Sequence, residues 1–87
     1  MAARTVVIAS PAGLHARPAA LFVKAAAASG LPVHIAKTGG DPVDAGSMLD
    51  VLTLNAAQGD EVTLTADGDG AAETLAALAD LLARQDA

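Results

Sequence analysis

Gly13-Leu14-His15-Ala16-Arg17-Pro18-Ala19 marks the passage from a first strand into a first helix. It puts a histidine at the helix entrance, an arginine two places on and a proline just inside. Proline is tolerated in a first helical turn, because its missing N–H would have had no intrahelical partner there. A helix start carries unpaired backbone N–H groups and a partial positive charge, which suits an anion and phosphate above all. A histidine held there can carry a phosphoryl group on a ring nitrogen. Arg17 and the amides of Ala16 and Arg17 would share its charge. The same positive end disfavours the imidazolium, so the ring meets a donor as a neutral nucleophile. Gly13 lets the preceding loop turn so that His15 faces outward.

Outward from this segment the chain divides readily. Arg4 to Ala9 is β-branched and predicts a strand with Val6 and Ile8 on the buried face. Ser10-Pro11-Ala12-Gly13 breaks it. A helix begins at about Ala16, with Leu21, Phe22, Ala25 and Ala26 on its apolar side and Lys24 turned away. Gly30 stops it and Pro32 prevents its resumption. Val33 to Lys37 is a second strand with Val33 and Ile35 on one face and His34 on the other. Thr38-Gly39-Gly40-Asp41 is a hairpin loop, followed by a short edge strand from Pro42 to Asp44.

Ser47 opens a short helix to about Leu54, and Asp50 three places on imitates a capping box. Asn55 and Gly59 end that segment. Glu61 to Ala66 alternates, with Val62 and Leu64 inward and Thr63 and Thr65 outward. Asp67-Gly68-Asp69-Gly70 lacks the spacing and the terminal glutamate of a calcium loop, so it is a turn. A last helix follows, with Leu75, Leu78 and Leu82 in a stripe supported by Ala79. Glu73 in its first turn and Arg84 in its last suit the macrodipole. The expected class is α+β, a sheet with helices on one face and the other face open to water.

The totals narrow the function. The 87 residues make one domain, 1–87. A formal net charge of −5 and a single aromatic, Phe22, disfavour nucleic acid, which needs clustered cations and stacking surfaces. The absence of cysteine excludes disulfides, thiol catalysis and thiolate metal sites. His15 and His34 do not form a recognisable metal motif, so no metal or cofactor is expected. Without a signal-peptide pattern or a long apolar run, the expectation is a cytoplasmic domain that is not inserted in a membrane.

With these elements in order, the chain resembles the HPr family, the histidine-containing phosphocarriers of the bacterial phosphoenolpyruvate-dependent sugar phosphotransferase system. Gly13-Leu14-His15-Ala16-Arg17-Pro18-Ala19 matches the family's active-site signature. Ser47-Met48-Leu49-Asp50-Val51-Leu52-Thr53-Leu54 is similar to its second signature. The resemblance implies an open-faced β-sandwich, an antiparallel sheet in the order 1-4-2-3 with three helices on one side. It implies that His15 takes a phosphoryl group from phosphorylated Enzyme I, on Nδ1, and passes it to the A components of sugar permeases. Such a protein is a covalent carrier rather than a stand-alone enzyme, and a monomer suits it. Matching the family's contact surface makes Ala16, Ala20, Met48, Leu49 and Leu52 the partner face, where Met48 offers adaptability. Two other readings stay open: a nitrogen-branch or regulatory relative, and a non-catalytic interaction domain with a ferredoxin-like layout.

Ser47 matches the regulatory serine that a kinase phosphorylates in some Gram-positive relatives, although helix capping alone accounts for it. Three features depart from the family pattern. Ala12 replaces a polar residue that orders the active loop in many relatives. The hairpin before Ser47 is one residue longer than in the commonest relatives. Asp50 stands where they more often carry a neutral or basic group, and Gly46 precedes Ser47 where a lysine would be expected. A phosphate on Ser47 would lie near the Asp50 carboxylate, and like charges repel. Asp50→Lys is therefore expected to raise the rate at which a competent kinase phosphorylates Ser47; equal rates for the two proteins would contradict this.

Overall fold

A computed structural model of the chain describes residues 2–9, 13–14 and 16–84. The element order is β1 (Ala2–Val7), α1 (Ala16–Ala28), β2 (Val33–Lys37), β3 (Val43–Asp44), α2 (Met48–Thr53), β4 (Glu61–Ala66) and α3 (Ala71–Ala83). The strands form one antiparallel sheet in the order β1-β4-β2-β3. This is the α+β, open-faced arrangement expected from the sequence.

β4 sets the register. Its alternation puts Val62, Leu64 and Ala66 on the buried face. Through the pairs Ile35↔Leu64 and Val33↔Ala66 it aligns the buried residues of β2 beside them. The three described helices cover this face. Phe22 and Ala19 from α1, Val51 from α2, and Leu75, Leu78, Ala79 and Leu82 from α3 join the strand residues in one core. Burying a side chain such as Phe22 stabilises the fold by about 1.5–3 kcal/mol, so a few of these residues dominate a core this small. The opposite face presents small and polar groups. Thr5 pairs with Thr63 there through their hydroxyls at 3.2 Å, and His34 sits exposed across from Asp44.

Several local expectations need correction. β1 runs from Ala2 to Val7 rather than from Arg4 to Ala9. Its length is dictated by β4, its sheet neighbour among the described residues, which offers partners from Ala66 back to Glu61. Ile8 is buried as expected, but just beyond the ladder, and Val6 is only half-buried. In α1, Leu21 is 55% exposed, and Ala19 takes its place in the core. Phe22 and Ala26 fix the buried meridian, and Leu21 lies about 100° away from Phe22 around the helix. β3 begins at Val43, leaving Pro42 outside the ladder. Arg84 stands one residue past α3, in extended conformation, where its Nη2 pairs with Asp80 Oδ2 at 2.7 Å.

The capping box at Ser47 is half-formed. Asp50 N–H donates to Ser47 Oγ at 3.3 Å, but Ser47 N–H donates to the Asp44 carbonyl at 3.1 Å. The turn that ends β3 takes the amide that a longer side chain at position 50 would have accepted.

Candidate functional site

His15 and Ala12 lie outside the described residues, as does the side chain of Ala16. What is described is the frame on either side of position 15. Gly13 and Leu14 come before it and are buried; the helical backbone of α1 begins directly after it, at Ala16.

Leu14 anchors the approach. Its side chain is in the core, and its N–H donates to the Ala56 carbonyl at 2.8 Å. Gly13 lies in the left-handed region at φ 76°. A Cβ there would come within 2.5 Å of the Ala56 carbonyl oxygen and 2.9 Å of Ala57 Cα. Glycine at this place is therefore required twice, by backbone conformation and by close approach. Gly30 shares the conformation, at φ 74°, but has open space around it.

The partner in these contacts is the turn from Asn55 to Asp60, which sequence reasoning treated only as the end of a helix. It holds the chain in three further places. Gly59 N–H donates to the Ile8 carbonyl at 2.8 Å, and Ile8 N–H donates to the Asp60 carbonyl at 2.9 Å. Gln58 Nε2 donates to the Ala9 carbonyl at 3.2 Å. The turn thus grips the chain both before residues 10–12 and after them. Asn55, at φ 54°, turns the chain out of α2. Asp60 closes the turn on itself, its Oδ2 accepting Ala57 N–H at 2.9 Å while its own N–H donates to the Ala57 carbonyl at 3.0 Å. Lys37, at the end of β2, places Nζ 3.5 Å from Asp60 Oδ2 and 3.4 Å from the Asn55 carbonyl oxygen. The hydrogen bond from the Ala57 amide, foremost, holds the Asp60 carboxyl below its ordinary value; desolvation, the next largest influence, opposes it, and the Lys37 charge and hydrogen bond add to the lowering. An asparagine followed by a Gly-Asp pair before a strand was the available signal.

On the other side, α1 starts with an unusual charge arrangement. Its first turn holds no acidic residue, and Arg17 is exposed there. A helix N-terminus normally favours anionic side chains. Here a guanidinium adds to the positive end of the dipole, a combination that a bound anion would neutralise.

The proposed partner face is apolar and open. Leu49 is 73% exposed and Leu52 is 39% exposed on α2, Ala20 is exposed on α1, and Met48 is half-buried against the core. Leu21 extends the exposed apolar surface of α1. Ser47 is half-buried and caps α2, so its hydroxyl already has a structural task. Lys24 and His34 are exposed. Among the described residues no helix is long and apolar enough to cross a membrane.

The family model "PTS HPr component phosphorylation site" matches residues 2–84. The chain belongs to the HPr family. Its similarity to HPr proteins is broad. It is 53% identical over 83 residues to the phosphocarrier protein HPr of Streptomyces coelicolor, covering 95% of this chain and 89% of that one. It is 40% identical over 85 residues to the phosphocarrier protein HPr of Haloferax volcanii, covering 97% and 96%. Among solved structures, a phosphocarrier protein HPr from Bacillus anthracis superposes with a TM-score of 0.87 at 36% identity, covering 93% of this chain and 95% of that one. HPr membership carries a phosphocarrier role in the phosphotransferase system.

The close approach at Gly13 yields a stability prediction. Gly13→Ala and Gly30→Ala both force alanine into the left-handed region, at about 1–2 kcal/mol each. Only Gly13→Ala must also displace the Ala56 backbone. Chemical denaturation is expected to show a distinctly larger loss for Gly13→Ala; equal losses would mean that the contact with Ala56 is loose.

Proposed function

We propose that His15 receives a phosphoryl group from phosphorylated Enzyme I and delivers it to the A components of sugar permeases. A neutral ring nitrogen of His15, Nδ1 as in the family, attacks phosphorus. The new N–P bond forms as the bond from phosphorus to the donor's nitrogen breaks, and in the second transfer His15 becomes the leaving group. The group moved carries its charge on three peripheral oxygens, so catalysis is mainly positioning and charge stabilisation. Arg17 supplies a planar fork for those oxygens, and the amides of Ala16 and Arg17 supply hydrogen-bond donors that have no acceptor within the helix.

The observation that carries this reading is the uncompensated positive helix start directly after His15, with Arg17 exposed in the first turn and no acid beside it. Membership of a family of phosphocarriers supports giving the histidine this role. Ala20, Leu49 and Leu52 form the accessible part of the partner face, with Met48 half-buried beside them; Ala16 is assigned to it on the family resemblance alone. An apolar surface of this kind lets one small carrier meet Enzyme I and several acceptors in turn. Ser47 serves first as the cap of α2; phosphorylation by a serine kinase would cost that cap and set a phosphate beside the Asp50 carboxylate, so Ser47 is a poor kinase substrate. The carrier acts as a cytoplasmic monomer.

Incubation with Enzyme I and phosphoenolpyruvate is expected to add one phosphoryl group to the intact mass, labile in acid and stable in base. His15→Ala should gain none, and Arg17→Ala should react about ten- to a hundredfold more slowly. Labelling of His15→Ala at the wild-type rate would overturn the assignment.

A further inference from the structure

The Asn55–Asp60 turn holds the chain leading to position 15, and one side chain holds the turn. The Asp60 carboxylate fixes Ala57 N–H, and Ala57 adjoins Ala56, whose carbonyl fixes Leu14. Leu14 precedes His15. Lys37 ties the same carboxylate, and the Asn55 carbonyl, to the end of β2. The Lys37–Asp60 pair is well exposed to solvent. Exposed ion pairs add little to global stability, so this pair acts on the local shape of the turn.

We propose that Asp60, assisted by Lys37, is a positioning residue for phosphoryl transfer at His15; this rests on the carrier reading above. Without the carboxylate, Ala57 N–H loses its acceptor within the turn. The turn loosens, and the Ala56 carbonyl no longer fixes Leu14 N–H in one place. Transfer depends steeply on the placement of the reacting atom. Leu49 and Leu52 lie on α2, outside the turn, so recognition of Enzyme I is preserved while the chemical step slows.

The test compares wild type, Asp60→Ala and Asp60→Asn in phosphorylation by Enzyme I, together with amide hydrogen exchange. Asp60→Ala is expected to lower the maximal rate about tenfold, with the carrier concentration at half-maximal rate little changed. Exchange at Leu14 should quicken while Ile35 and Leu78, in the core, keep their protection. Asp60→Asn retains an acceptor oxygen for Ala57 N–H and should recover most of the rate. The proposal is overturned if Asp60→Ala reacts like wild type, if Leu14 exchange is unchanged, if Asp60→Asn is equally slow, or if Ile35 and Leu78 lose protection along with Leu14. Failure of the wild type itself to accept phosphate would remove the carrier reading, and this proposal with it; a normal wild type with a normal Asp60→Ala removes the positioning role alone.

Discussion

The hydrogen bond from Leu14 N–H to the Ala56 carbonyl, with Gly13 in the left-handed region beside it, is the contact that ties the approach to position 15 to the rest of the fold. It joins two stretches far apart in sequence: the approach to position 15 and the turn between α2 and β4. The buried Leu14 side chain adds an apolar anchor to the polar one. A carrier histidine must be accessible to large partners and yet held in one orientation. The chain is fixed at the residue before position 15, and a helix starts immediately after it. The sheet contributes indirectly, because β4 begins where the turn ends and keeps the turn in register with β1 and β2.

Charge is distributed unevenly over this frame. The chain as a whole is acidic, with a formal net charge of −5. Yet the first turn of α1 carries a cation and no acid. The macrodipole makes that arrangement locally unfavourable, and unfavourable local choices concentrate where function demands them. A dianionic phosphoryl group on His15, as proposed, would relieve the imbalance. In the proposed carrier cycle the loaded state gains from this, while the reactive N–P bond lets the group be passed on. The apolar surface of α2, where Leu49 is 73% exposed, is the face proposed for recognition.

Periodicity made much of the fold legible. The alternation of Glu61–Ala66 and the leucine stripe of α3 identified both layers of the core, and Ser47 marked the start of α2 correctly. Other features depended on partners that a local reading does not contain. β1 begins at Ala2 because β4 offers pairing there, although alanine has little strand preference of its own. Leu21 is apolar but lies off the buried meridian, which Ala19 occupies. Asp50 looked like the second half of a capping box, but the Ser47 amide was already engaged by Asp44. The link between Asp60 and Lys37 was illegible: one is an ordinary loop acid, the other a strand-end lysine, and only the folded chain brings them together at the turn that holds Leu14 N–H. The proposal for His15 and Arg17 comes from the sequence, where several uncommon choices coincide within one short segment; His15 itself lies outside the described residues.

The central claim concerns the atom that carries the phosphoryl group. Phosphorus–nitrogen correlation NMR on nitrogen-labelled protein, after loading from Enzyme I and phosphoenolpyruvate, observes that atom directly. The account predicts one phosphorus nucleus coupled to a ring nitrogen of His15. A phosphorus signal assigned to any other residue, or coupled to no nitrogen, would contradict it.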